Sequence, residues 1–432
     1  LSLSLPLSML SLRGLSLLSL PDLSFNLTAA QSDPFHPQRN PTGRINLGTA
    51  ENRVCEKEVS DKLEGFRLTP DGNQWLQRYA GIGGVRGTKA LLLSHLSEAL
   101  SSPPSIDHSI LLHSCTASYD VLAHLLCDPN DYILTPSPFY ARVRSDCGER
   151  SEVVVKGVPL NMMNPRLDVD HFEREFDRWN GKGGRVTAVI IMNPHNPLGN
   201  IYQKEELVEL CEWAMSKDLF LIFDEILSGI IYDEDDRTSF HSILDLLPLL
   251  SKPELVVWMS SLSKDIGIPG VRCSLLYSSS PSLLRSLIRL EALADVPAPD
   301  QLIVQHLLED RDWISSIFSS ARHRLSAHAQ FLVHSLHSID VPCFPPKAGI
   351  TLMADFSKYL PTASIEEEDA LHLRLVHAGV ILTKGGPTHA PSPGWFRIAF
   401  GVPKVELQLG VARVFELLVP GRKVEREITY EQ

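Results

Sequence analysis

The chain reads as an α/β fold in which a large domain on a mostly parallel sheet precedes a smaller α+β domain. Three observations predict it. At 432 residues the chain is too long for one compact core. From about residue 85 onward, apolar runs of strand length alternate with helical stretches. The runs are nearly continuous, as in Val189-Ile190-Ile191-Met192, which is the pattern of parallel strands covered by helices on both faces.

The elements follow in order. Residues 1–24 read as a disordered or weakly packed leader of Leu and Ser with one basic residue, Arg13. It lacks the basic start of a secretory signal and the arginines of a mitochondrial presequence. With Leu1 in first place, an imprecise gene start with Met9 as initiator is expected. Residues 25–60 form an irregular arm with a short strand, joined to the small domain. The arm carries Asn40-Pro41-Thr42-Gly43 and Gly48-Thr49-Ala50-Glu51-Asn52. In the large domain, 61–295, helices are expected at 88–100, 119–126, 169–178, 204–215 and 282–294. Strands are expected at 109–113, 132–135, 152–155, 186–192, 220–223 and 255–259. Pro297-Ala298-Pro299 marks a boundary. The small domain, 296–425, opens with one or two long helices over 301–337. It continues with strands at 349–354 and 395–400 and helices at 367–377 and 405–418.

Composition narrows the function classes. A formal charge of −12 without a long basic run argues against nucleic acid as partner. Seven scattered cysteines, odd in number and never spaced as C-x-x-C, favour free thiols in a reducing, cytoplasmic setting over a disulfide frame or a metal site. The sequon Asn26-Leu27-Thr28 is then unused. No segment reads as a membrane span.

Chemistry concentrates in Ser261-Leu262-Ser263-Lys264-Asp265-Ile266-Gly267-Ile268-Pro269-Gly270-Val271-Arg272. Lys264 can form an imine with an aldehyde cofactor, while Ser261, Ser263 and Arg272 can hold that cofactor's phosphate. A lysine imine beside a phosphate cradle is what pyridoxal 5'-phosphate (PLP) requires. An exposed lysine in a polar turn is the plainer reading of the tetrapeptide, but the whole dodecamer after an apolar run is harder to dismiss.

Three further segments follow expected strands, where a parallel sheet places its ligand. Asp224, in Phe223-Asp224-Glu225, can pair with a protonated pyridine nitrogen or simply cap a helix. Asn196, within Asn193-Pro194-His195-Asn196-Pro197-Leu198-Gly199, can donate to a phenolic oxygen. His195 is expected in solvent or in the turn, not as a catalyst. Cys115 and Thr116 open a helix whose free amides suit a phosphate. Pro138-Phe139-Tyr140 offers an aromatic that can stack on a ring or fill a core.

From about Asn40 to Leu418 the chain resembles the fold-type-I PLP enzymes of the class I/II aminotransferase superfamily. It is most similar there to ACC (aminocyclopropane carboxylate) synthases and their relatives. The segments that carry the likeness are Gly48-Thr49-Ala50-Glu51-Asn52, Asn196-Pro197-Leu198-Gly199, the Lys264 turn and Pro393-Gly394-Trp395-Phe396-Arg397. The resemblance implies that Lys264 is the Schiff-base lysine and proton shuttle, Asp224 the partner of the pyridine nitrogen and Asn196 that of the phenolic oxygen. Ser261, Arg272 and the backbone at Cys115 and Thr116 would bind phosphate. Phe139 would stack on the ring where the family has tyrosine. Tyr79, in Tyr79-Ala80-Gly81, would reach a partner subunit's phosphate, which implies a homodimer. Arg397 would clamp the substrate α-carboxylate, and Glu51 would lie near its amine and side chain. One departure stands out: Leu227 occupies the place of a family tyrosine three residues after Asp224, so a donor to the phenolic oxygen is missing.

The reaction expected is Cα deprotonation of an amino acid, with a sulfur-containing one favoured. The enzyme would be an ACC-synthase-like carbon–sulfur lyase or synthase, as in fungal secondary metabolism. Glu51 favours elimination, and Leu227 weakens the case for ACC synthesis proper. The alternative is a class I/II aminotransferase. A non-catalytic PLP-fold protein is a distant third, since Lys264, Asp224 and Arg397 are all retained.

Overall fold

The computed structural model describes residues 10–18, 20, 24–68, 74–79, 81–97, 100, 103–424 and 427–430. Met9, Ala80 and much of the expected leader lie outside the described residues. Within the leader, Leu12–Leu17 is helical and Ser11 caps it by accepting the Gly14 amide.

Twelve strands are present among the described residues. They are β1 (Ile45–Asn46), β2 (Ser109–Leu112), β3 (Tyr132–Ser137), β4 (Val154–Pro159), β5 (Val186–Met192), β6 (Phe220–Asp224), β7 (Val256–Ser260), β8 (Ser274–Ser278), β9 (Thr351–Asp355), β10 (Val380–Ile381), β11 (Thr383–Lys384) and β12 (Trp395–Ala399). Seven form one sheet in the order β2-β8-β7-β6-β5-β3-β4. All its neighbours pair in parallel except β8, which runs antiparallel to both β2 and β7.

The alternation of side chains along these strands builds two cores. On one face, Val189 and Ile191 of β5, Leu221 and Phe223 of β6 and Trp258 of β7 pack with Leu207, Leu210, Cys211 and Ala214 of the helix Lys204–Ser216. On the other, Ala188, Ile190, Ile222, Val257 and Met259 meet Val121 and Leu122 of Cys115–Leu126 and Val143 and Cys147 of Arg142–Ser151. Each large aliphatic buried this way contributes about 1.5–3 kcal/mol before chain entropy is subtracted. That is why strands so rich in Val and Ile are stable at the centre of the molecule.

A third core belongs to the C-terminal part, where β9 and β12 face the helices Ile365–His377 and Lys404–Leu418. The long helical region is two helices, Ala298–Glu309 and Arg311–Ser338, separated where Asp310 accepts the Trp313 amide. Pro299 sits in the first turn of the former, where its missing N–H costs nothing. Arg311–Ser338 crosses from the first core, through Ile314, Ile317 and Ala321, into the third, through Leu325, Leu332 and Leu336. The change of core therefore falls inside this helix, some way past residue 296.

Three elements differ from the sequence expectation. β8 was not anticipated. Arg142–Ser151 is a helix that no expectation named. The strand expected at 152–155 begins only at Val154, because Glu152 ends that helix in a left-handed conformation (φ 58°). No described helix is long and apolar enough to cross a membrane.

Candidate functional site

The ends of the strands deliver the site residues to one edge of the sheet. Asp224 is the last residue of β6 and is buried. Its carboxylate accepts the Tyr119 hydroxyl at 2.8 Å and the Ile226 amide at 3.1 Å. Burial pushes its pKa from 3.8 up to about 6, and the Tyr119 bond is the largest opposing influence. Tyr119 was read only as the start of a helix. A tyrosine there looks like core, and only the fold turns its hydroxyl onto Asp224.

Lys264 lies just past β7 in the short helix Leu262–Asp265, capped by Ser261. Its ammonium donates to the Ala50 carbonyl at 2.6 Å. Burial lowers its pKa first and the Arg397 charge second, with Arg272 adding to them and Glu51 opposing. A lysine held this way gives up its proton more readily than an exposed one, as a proton shuttle must.

The arm is fastened to the same turn. Asn52 Nδ2 donates to the carbonyls of Lys264 and Asp265 at 2.8 and 3.2 Å. Gly267 (φ +74°) lets the turn pass beneath it, since a Cβ there would fall 1.9 Å from the Asn52 oxygen. Arg397 comes from β12, is buried, and donates to the Gly48 carbonyl at 2.8 Å. The arm thus lies between Lys264 and Arg397, with its carbonyls on both. Glu51 is half-buried, and its charge acts on Lys264.

The other expected residues are placed as follows. Cys115 and Thr116 begin the helix Cys115–Leu126, whose cap Ser114 accepts the Ala117 amide at 3.1 Å. Burial raises the Cys115 thiol far above its ordinary value, Asp224 adding to the effect. The Ser261 hydroxyl donates to the Cys273 carbonyl at 2.7 Å and lies 2.9 Å from that of Ser263. Arg272 is exposed and donates to the Pro269 carbonyl, though its charge reaches Lys264 and Cys115. Tyr79 is fully exposed, away from these groups. Phe139 is buried and lies stacked on His389. His195 is in the turn, as expected, but not in solvent: it is buried, and burial drops its pKa to about 3, so it is neutral. Leu227 is buried in the C-terminal core with Ile230 and Tyr232, so the position of the family tyrosine serves packing.

These residues suit a planar, phosphorylated aldehyde with a basic ring nitrogen. Asp224 is a buried acid braced by two donors, Cys115 and Thr116 present a helix start, and Lys264 is a partly buried amine. Two buried polar atoms, Asn196 Oδ1 and Arg397 Nε, have no hydrogen-bond partner among the described residues, which leaves polar capacity for a ligand on either side of Lys264.

Comparison with known proteins agrees with this geometry. Residues 86–414 match the model of the family described as aminotransferase class I and II. A 1-aminocyclopropane-1-carboxylate synthase-like protein 1 of Takifugu rubripes is 31% identical over 399 residues, covering 89% of this chain and 63% of its own length. A probable inactive 1-aminocyclopropane-1-carboxylate synthase-like protein 2 of Mus musculus is 27% identical over 428 residues, covering 96% of this chain and 73% of its own. Among solved structures, an aspartate aminotransferase double mutant of Thermus thermophilus superposes with a TM-score of 0.76 at 17% identity, over 95% of this chain and 99% of that one. That likeness is one of fold.

Proposed function

The chain belongs to the class I and II aminotransferase family, in its ACC-synthase-like branch, and its cofactor is pyridoxal 5'-phosphate; from that premise we propose that it acts on a sulfur-containing α-amino acid as a carbon–sulfur lyase or synthase. The observation that carries the proposal is the placement of Lys264. Its amine lies between the Ala50 carbonyl and the Arg397 charge, with its pKa lowered by burial. Arg397 binds the substrate α-carboxylate by a planar, bidentate pair. It thereby orients the Cα–H bond toward Lys264, which takes the proton as general base. Asp224, braced by Tyr119, holds a positive charge at the cofactor's ring nitrogen. Asn196 contacts the phenolic oxygen, Phe139 packs on the ring, and Ser261, Ser263, Arg272 and the amides at Cys115 and Thr116 receive the phosphate. When bound, PLP supplies the electron sink that makes the Cα proton acidic. Tyr79, fully exposed, reaches the phosphate of a second copy in a homodimer.

Transamination is the second reading, favoured by the family's own description. The two differ in where Lys264 returns the proton: to the cofactor carbon for transamination, or not before a side-chain bond breaks for the lyase. The relative named probable inactive makes catalysis itself worth testing first. The cofactor-loaded chain is mixed with S-adenosylmethionine, a cysteine S-conjugate and an aromatic amino acid, without keto acid. A cofactor absorbance band that returns while pyruvate, ammonia or methylthioadenosine accumulates supports the lyase or synthase. Conversion that stops after one turnover supports the aminotransferase. Lys264→Ala abolishes both the band and turnover, and turnover that survived it would sink the mechanism.

A further inference from the structure

Three cations gather beside Phe139. The His389 ring lies against that of Phe139, with centroids 4.8 Å apart and planes inclined by 21°. Arg144, on the helix after Phe139, and Lys156, on β4, both act electrostatically on His389, and Arg144 acts on Lys156 as well. Arg144 is exposed and forms no ion pair or hydrogen bond among the described residues. Lys156 lies 3.7 Å over the Trp179 ring. The acid that acts on Lys156 is Glu175, which is already bonded to Arg178 and Trp179 Nε1. Like charges without a counter-ion repel one another, and an anion between them removes that cost.

The cluster is held in place. Phe139 donates its amide to the Thr388 carbonyl at 2.8 Å, which ties the loop of His389 to the large domain. The Glu368 carboxylate accepts the amides of Gly386 and Gly394 at 3.2 and 2.8 Å, so it grips both ends of that loop. His389 itself is left-handed (φ 58°), a conformation that a histidine adopts when its surroundings impose it. The next residue after Phe139, Tyr140, feels the charge of Arg397. The cluster and the α-carboxylate arginine therefore serve one cavity.

We propose that Arg144, Lys156 and His389 form an anion subsite that takes a carboxylate at the far end of the substrate side chain while Arg397 takes the α-carboxylate. This rests on the reading of Lys264 and Arg397 given above, and it narrows the substrate class to amino acids with an anionic side chain. A sulfonium side chain would meet repulsion at the same place.

The test is a calorimetric titration of the cofactor-loaded full chain with S-carboxyethyl-cysteine, its uncharged amide S-carbamoylethyl-cysteine, and S-adenosylmethionine. The acid is expected to bind about tenfold more tightly than the amide, as a charged hydrogen-bonded pair contributes. The double variant Arg144→Gln/Lys156→Gln removes most of that preference and leaves the amide's affinity unchanged. Arg144→Glu reverses the preference toward S-adenosylmethionine. Equal affinity for acid and amide, or a preference that survives the double variant, overturns the subsite and leaves Lys264 and Arg397 in their roles. Failure of all three compounds to bind the loaded chain overturns both readings together.

Discussion

Tyr119→Phe isolates a single hydroxyl. That hydroxyl donates to Asp224 at 2.8 Å, and both residues are buried, so neither solvent nor a new cavity confuses the result. A hydrogen bond to a buried charge contributes about 1.5–3 kcal/mol. At about 1.4 kcal/mol per pH unit, its loss moves the Asp224 titration upward by about 1–2 units from its value of about 6. The sign follows from linkage. A carboxyl raised by burial binds its proton more tightly folded than unfolded. Its stability contribution is therefore full below 3.8 and is lost as pH rises through about 6. In the variant the loss continues to higher pH. Urea unfolding of the cofactor-free chain should show Tyr119→Phe less stable by about 1.5–3 kcal/mol near pH 8, where Asp224 is charged. Near pH 5, where the acid is neutral, the difference should fall to about half of that or less. A penalty of the same size at both pH values would mean that Tyr119 only packs, and the account of Asp224 would fail.

Other outcomes follow from the same geometry. Arg397→Lys keeps the charge but loses the planar fork, so KM for an α-amino acid should rise by about tenfold or more in steady-state kinetics. An unchanged KM would remove Arg397 from carboxylate capture. Leu227→Tyr, meant to restore a phenol, forces extra volume into a position where Leu227 Cδ1 already lies 3.1 Å from a Cβ built on Gly349. It should cost about 1–3 kcal/mol in urea melts. Gly267→Ala combines a positive φ with a clash against the Asn52 carbonyl, so it should loosen the arm from the Lys264 turn. Faster amide hydrogen exchange over 48–53 would show it, and unchanged protection there would refute it.

The sequence made some parts of the molecule plain and hid others, for physical reasons. The strands β5, β6 and β7 were legible because each is an apolar run buried on both faces, and Lys264, Asp224 and Asn196 were legible because each follows one. β8 was not: Ser274-Leu275-Leu276-Tyr277-Ser278 is short, begins and ends in serine, and lies two residues after the site turn. Its place is set by pairing with β2 and β7, which no local pattern announces. The helix Arg142–Ser151 was hidden by its polarity, with Val143 and Cys147 as its only buried apolar residues. Within the site, Tyr119 and His389 give no motif, and the carbonyls of Gly48 and Ala50 have no side-chain signature at all.

The arm shows why that last class matters. Read as sequence, 47–53 is irregular, with neither helical nor strand periodicity. In the structure its backbone groups are among the most committed in the molecule. Leu47 exchanges bonds with Ile381 and Ala399, Gly48 accepts from Thr383 and Arg397, Ala50 from Lys264, and the Arg53 amide bonds Gly401. Its side chains continue the pattern, Asn52 toward the Lys264 turn and Arg53 toward Glu406. Buried backbone groups must find partners, and here they find them in site residues from both domains instead of in a neighbouring strand. Irregularity in this segment is therefore the form that two-sided bonding takes. A change at Asn52 or Gly267 acts on Lys264 and Arg397 together, although neither residue performs chemistry.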